Sequence, residues 1–143
     1  MTPPEAVVDA SVALKWVLEE PESAWARALP AKATLIAPAL LWTECANGLW
    51  RLGRAAPGFD PVHAFGVIAE VPLEVAQTGP LLQAKALRLG RDLDHPIYDC
   101  LYLALALERG AALATADQRF LRVLRRSDVL PPDRLLTLPE TGA

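Results

Sequence analysis

Between Ile97 and Leu107 the chain carries a single charged side chain, Asp99; every other residue in that stretch is apolar or aromatic. A helix that is apolar on all sides is buried, so this segment belongs inside a packed domain and takes a carboxylate in with it. Asp99 lies in or just past the first helical turn, where amide dipoles favour an anion by about 0.3–1 kcal/mol. Burying an unpaired carboxylate costs several kcal/mol, so the dipole does not suffice. Either a neighbouring arginine or loop donors satisfy Asp99 structurally, or a cation does.

The rest of the chain supplies the layers around that helix. Val7-Val8 runs into Asp9 as a first strand, followed by a helical pattern from Val12 to Leu18 that Ser11 could cap. Pro21 suits the first turn of a second helix, which Pro30 ends. Thr34–Ala37 reads as a second strand, and Pro38 opens a helix to about Arg51, before a Gly/Ala/Pro loop from Gly53 to Gly58. Asp60-Pro61 starts another helix, and Val71-Pro72-Leu73 is a short strand or a connector. Thr78-Gly79-Pro80 starts the next helix, and Asp94 is read as the cap of the helix from Pro96 to Glu108. Ala112–Thr115, a basic helix from Gln118 to Arg126 and a last strand at Leu135–Leu138 complete the pattern. Strands alternating with helices favour an α/β fold with a mostly parallel sheet over a bundle. The 143 residues fit one domain, with a core from about 6 to 138.

In open α/β sheets the ligand crevice lies beyond the carboxyl ends of the strands. Asp9 and Asp117 each follow a strand, so parallel pairing delivers both to the same edge, although Asp117 also suits a plain helix cap. Glu44 flanks the buried stripe formed by Leu41, Cys45, Leu49 and Leu52, and Asn47 shares its face one turn on. Four converging carboxylates repel one another, and a hard divalent cation such as Mg²⁺ or Mn²⁺ relieves that by accepting oxygen ligands. Zinc is disfavoured, because no Cys/His cluster accompanies the acids. His63 and His95 read as helix-surface or loop residues.

The net charge is −3, from 14 basic and 17 acidic residues, so a nucleic-acid partner would be held by local basic groups or a cation. Arg119, Arg122, Arg125 and Arg126 crowd one helix and could meet phosphates, or could form a solvated face. Cys45 and Cys100 sit in apolar runs without metal-finger spacing and read as reduced, buried small hydrophobes. The start lacks a secretory pattern, and the longest apolar run, Cys100–Leu107, is too short to span a bilayer, which points to a soluble cytoplasmic protein.

Val8-Asp9-Ala10-Ser11, Glu44 with Asn47, the run Tyr98-Asp99-Cys100-Leu101-Tyr102-Leu103-Ala104-Leu105-Ala106, and Thr115-Ala116-Asp117-Gln118-Arg119-Phe120 together resemble the PIN domain, specifically VapC-type toxins of bacterial toxin–antitoxin pairs. The likeness runs from about Val7 to Leu138. It implies a three-layer α/β/α fold and a Mg²⁺- or Mn²⁺-dependent ribonuclease. It also implies inhibition by a VapB-like antitoxin and a homodimer. Asp9, Glu44, Asp99 and Asp117 match the family's catalytic and metal-binding acids; Ser11 and Asn47 would support them, and Arg119 and Arg122 would contact RNA. The resemblance further implies in-line attack by a metal-activated water, leaving a 5′-phosphate and a 3′-hydroxyl. Some relatives carry a further acid where Gln118 and Arg119 stand here, which bears on a second metal. Two alternatives compete. A haloacid-dehalogenase-like or other phosphoryl-transfer hydrolase also ends its first strand in an acid, but expects a second acid at the position of Ser11. A PIN scaffold could also bind a partner without catalysis. The four tryptophans suit core packing or anchors for an antitoxin peptide.

Overall fold

The structure is a computed structural model that describes residues 4–137. Leu138, the expected end of the last strand, and the tail beyond it lie outside the described residues. Five strands form one sheet: β1 (Glu5–Val8), β2 (Thr34–Pro38), β3 (Glu74–Ala76), β4 (Ala112–Ala114) and β5 (Leu135–Leu136). Their order is β3-β2-β1-β4-β5, and every pairing is parallel. The helices are α1 (Ala10–Lys15), α2 (Ser23–Lys32), α3 (Leu40–Ala55), α4 (Pro61–Ala69), α5 (Pro80–Leu93), α6 (Ile97–Arg109) and α7 (Gln118–Ser127). They make the layers of a three-layer α/β/α arrangement.

The apolar helix is α6, and Cys100 through Ala106 are buried along it. It packs across β1, β2 and β4 on one side and against α5 on another, which accounts for its having no polar face. Val7, Val8, Ile36 and Leu113 are fully buried in the strands it covers. This placement carries Asp99 to the sheet. In the β1–β4 register Val8 lies opposite Ala114, so the residues that follow, Asp9 and Thr115, leave the sheet side by side.

Several local expectations are corrected. Pro30 does not end α2 but lies inside it. A proline leaves the carbonyl four residues earlier without its helical partner, and here that carbonyl, of Ala26, accepts the indole N–H of Trp16 at 2.9 Å. Likewise α3 continues through Gly53 to Ala55. A Cβ on Gly53 would come within 3.1 Å of Pro61 Cγ, so glycine there serves the close approach of α4 rather than a loop. Of the two readings of Val71–Leu73, the connector holds and the strand does not: the third strand is Glu74–Ala76, since Pro72 has no N–H for a ladder. Ser11 does not cap α1; Asp9 does, accepting from the Val12 amide. Asp94 does not cap α6 either. It ends α5 in the left-handed conformation, φ 50°, which aspartate tolerates better than most residues.

The tight turn from α5 into α6 depends on Gly90, where an added Cβ would lie 2.9 Å from the backbone carbonyl oxygen of His95. Alanine elsewhere in a helix gains about 0.5–1 kcal/mol over glycine, whereas overpacking against backbone costs about 1–3 kcal/mol. Gly90→Ala is therefore expected to lower stability in urea unfolding by up to ~2 kcal/mol. A variant more stable than the parent would contradict the close approach.

Candidate active site

Asp9 is 3% exposed, at the end of β1. Its Oδ1 accepts the Ser11 hydroxyl at 2.5 Å and the Val12 amide at 3.2 Å, and its Oδ2 accepts the Thr115 hydroxyl at 2.5 Å. Ser11 Oγ in turn accepts the Ala116 amide at 2.9 Å, closing a ring of hydrogen bonds between the ends of β1 and β4. Burial is the largest influence on the carboxyl and raises its pKa from 3.8 to about 6, against the three donors, with the charge of Asp99 adding to the rise.

Asp99, in the first turn of α6, accepts His95 Nε2 at its Oδ2, 2.6 Å away. His95 lies in the turn between α5 and α6, as the loop reading has it, but is buried rather than exposed, and its ring stacks on Phe120 of α7 at 5.1 Å between centroids. Burial again raises the Asp99 pKa; His95 and Arg119 oppose this, and the charge of Asp117 reinforces it. Glu44 is half-buried on α3 and accepts the Tyr102 hydroxyl at 2.6 Å. Its pKa is raised by burial and by Asp99, with the Tyr102 bond opposing. Asp117 caps α7 through the Arg119 and Phe120 amides. The influence of Asp99 on Asp9 and Glu44, and of Asp117 on Asp99, joins all four acids in one electrostatic field.

Among the described residues His95 is the one basic side chain within ion-pair distance of these acids. Among the same residues, no three His, Cys, Asp or Glu side chains stand grouped tightly enough to enclose a metal ion as they lie. The donor chemistry nevertheless fits a hard divalent cation: the groups are carboxylate oxygens whose charges raise one another's pKa, and among the described residues no lysine or arginine is paired with them, Arg119 acting on Asp99 only through its field. Asp9 and Asp99 would hold such an ion, with Glu44 and Asp117 flanking.

Asn47 is exposed, and Tyr102 rather than Asn47 donates to Glu44. Arg119 and Arg122 are exposed on α7, Arg119 near enough to Asp99 for its charge to be felt. Cys45 and Cys100 are free and fully buried, with thiols pushed up to about 12 and about 11 by burial, which leaves them unreactive. Three site residues escape the sequence reading: Thr115, His95 and Tyr102. The i, i+4 spacing of His95 and Asp99 is the one signal that could have exposed a partner.

The PIN domain model matches residues 6–125. The chain belongs to the PIN domain family. Comparison with curated proteins gave no match. Among solved structures, PAE2754 of Pyrobaculum aerophilum superposes with a TM-score of 0.70 at 18% identity, over 94% of this chain and 90% of that one. The Mycobacterium tuberculosis toxin VapC20, described as cleaving the sarcin-ricin loop, gives 0.63 at 16% identity, over 82% and 93%. A toxin–antitoxin complex from Klebsiella pneumoniae gives 0.65 at 14%, over 94% and 98%. At these identities the likeness is one of fold.

The raised pKa of Asp9 has a defined consequence for stability without metal. Between pH 3.8 and about 6 the folded state holds a proton that the unfolded chain has released, so stability falls as pH rises through that window. At about 1.4 kcal/mol per pH unit, the full effect approaches roughly 3 kcal/mol above pH 6. Asp9→Asn removes it. With a chelator present, the variant is expected to gain stability relative to the parent as pH is raised from about 4 to 7, measured by urea unfolding at each pH. A constant difference would show that the Asp9 carboxylate ionises normally.

Proposed function

We propose that this protein is a divalent-metal-dependent endoribonuclease, the toxin of a toxin–antitoxin pair. The observation that carries the reading is the coupling of buried Asp9 to Asp99 at the carboxyl edge of the sheet, with Glu44 and Asp117 in the same field. Membership of the PIN domain family supports it, as do the toxins among the structural neighbours.

In this reading Asp9 and Asp99 bind the cation and Glu44 and Asp117 complete its surroundings. Mg²⁺ or Mn²⁺ held there would supply charge neutralisation on a phosphodiester and a hydrolytic nucleophile at neutral pH. Ser11 and Thr115 hold Asp9 in one orientation, and Tyr102 does the same for Glu44. Asn47, exposed one turn beyond Glu44, would act only through substrate or ordered solvent. Arg119 and Arg122 face solvent on the helix that begins at Asp117, where guanidinium groups can hold RNA phosphates beside the acids.

A VapB-like antitoxin is the proposed partner. The apolar cleft of about 310 Å³ between α3 and α4, lined by Leu49, Trp50, Val62 and Phe65, offers it an anchor surface. Trp50 and Val62 are exposed there, and Arg54 lies over the Trp50 ring at 5.0 Å. The protein is further proposed to act in the cytoplasm and to form a homodimer. Among the described residues no helix is long and apolar enough to cross a membrane.

Purified protein is expected to cleave RNA with Mg²⁺ or Mn²⁺, leaving 5′-phosphate and 3′-hydroxyl ends. Chelation or Asp99→Asn should reduce the rate by at least about 100-fold, because either removes the cation that would stabilise the charge developing on the phosphate. Arg119→Ala with Arg122→Ala should chiefly raise KM. Cleavage indifferent to both chelator and Asp99→Asn would overturn the metal mechanism.

A further inference from the structure

His95 is the one histidine buried in the described structure, and its surroundings are built around it on three sides. Its amide donates to the Gly90 carbonyl at 3.1 Å, fixing it at the turn between α5 and α6. Gly90 leaves room for its carbonyl, since a Cβ there would come within 2.9 Å of that oxygen. Its ring lies nearly parallel to Phe120, at 14°, and Phe120 is fully buried in the first turn of α7, three residues after Asp117. The remaining edge presents Nε2 to Asp99 Oδ2 at 2.6 Å. The side chain of His95 is 3% exposed and that of Asp99 25%, so the bond joins a fixed donor to a carboxylate that reaches solvent.

We propose that His95 is the positioning residue for Asp99: by donating from Nε2 to one carboxylate oxygen, it holds Asp99 in the orientation that receives the divalent cation. This deepens the reading of the site as a metal-dependent nuclease and rests on it. A free aspartate at the head of a helix samples several rotamers, and each must be given up when a cation binds. Anchoring one oxygen to a ring that is itself immobilised removes that freedom before the ion arrives. Among the described residues Asp99 Oδ1 has no hydrogen-bond partner, which leaves it available as a ligand. Hydrogen-bond partners of metal-binding groups typically change metal affinity by about 10- to 100-fold when removed. Through Phe120 the same ring also ties the turn between α5 and α6 to α7, relating the position of Asp99 to the helix that Asp117 caps.

A packing role and a positioning role separate experimentally. His95→Phe keeps an aromatic ring against Phe120 and removes the donor. The probe is Mn²⁺ alone, its binding to the purified protein followed by electron paramagnetic resonance or calorimetry, with the Tm of the chelated protein measured in parallel. His95→Phe should weaken Mn²⁺ binding by about 10- to 100-fold, while Tm stays close to that of the parent. In an Asp99→Asn background the same substitution should change Mn²⁺ binding little further, because the two residues act through one bond. His95→Gln and His95→Met are of equal length and form a second pair, of which only Gln can donate; Gln should bind Mn²⁺ more tightly than Met. Should His95→Phe fail to fold, that pair decides alone. A parent that binds Mn²⁺ in an Asp99-dependent way, with His95→Phe and His95→Met each binding it as tightly as the parent, overturns the role of His95 and leaves the metal reading standing. A parent that binds no Mn²⁺, or binds it as well after Asp99→Asn, overturns both.

Discussion

The buried carboxylate of Asp9 is the constraint on which the rest of the arrangement turns. It is satisfied by three donors, the Ser11 hydroxyl, the Val12 amide and the Thr115 hydroxyl. Val12 and Ser11 belong to the helix that Asp9 itself starts, while Thr115 arrives from the far end of the chain only if β1 and β4 pair in parallel. The charge and the sheet topology therefore depend on each other. The three donors do not fully offset burial, since the carboxyl remains raised to about 6, so the ionised site at neutral pH calls for positive charge from elsewhere.

Asp99 extends the same logic across the molecule. Its helix is buried because it lies on three strands and against α5, and the carboxylate travels into the interior with it. Three of the four site acids are oriented by a side-chain donor from another element or turn: Asp9 by Thr115, Glu44 by Tyr102, Asp99 by His95. The hydroxyl donors, Thr115 and Tyr102, fix carboxylate geometry without cancelling its charge as a lysine would. Negative charge is thereby kept at the sheet edge, which is what the proposed cation site requires.

A mostly parallel sheet is legible because its strands are short apolar runs separated by helical patterns, and strand position alone suggests one edge for Asp9 and Asp117; that every pairing is parallel comes from the structure. The lone acid in the apolar run from Ile97 to Leu107 was equally visible. The donors were not. Tyr102 in a wholly apolar helix reads as core, and its partner Glu44 lies 58 positions away. Thr115 is separated from Asp9 by 106 positions and looks like the last residue of a strand. Pro30 and Gly53 misled for a related reason: their local preference to break a helix is outweighed by tertiary partners, the Trp16 indole on the Ala26 carbonyl and the close approach of Pro61. Both the side-chain donors and the helix boundaries are decided by contacts between distant segments, which periodicity along the chain does not contain.

These carboxylates are proposed to assemble around one cation. The most direct measurement is anomalous diffraction from crystals of the protein grown with Mn²⁺. A peak bonded to carboxylate oxygens of both Asp9 and Asp99 is the predicted result. Its absence at saturating Mn²⁺, or a peak held by residues elsewhere with these two carboxylates uninvolved, would contradict the account.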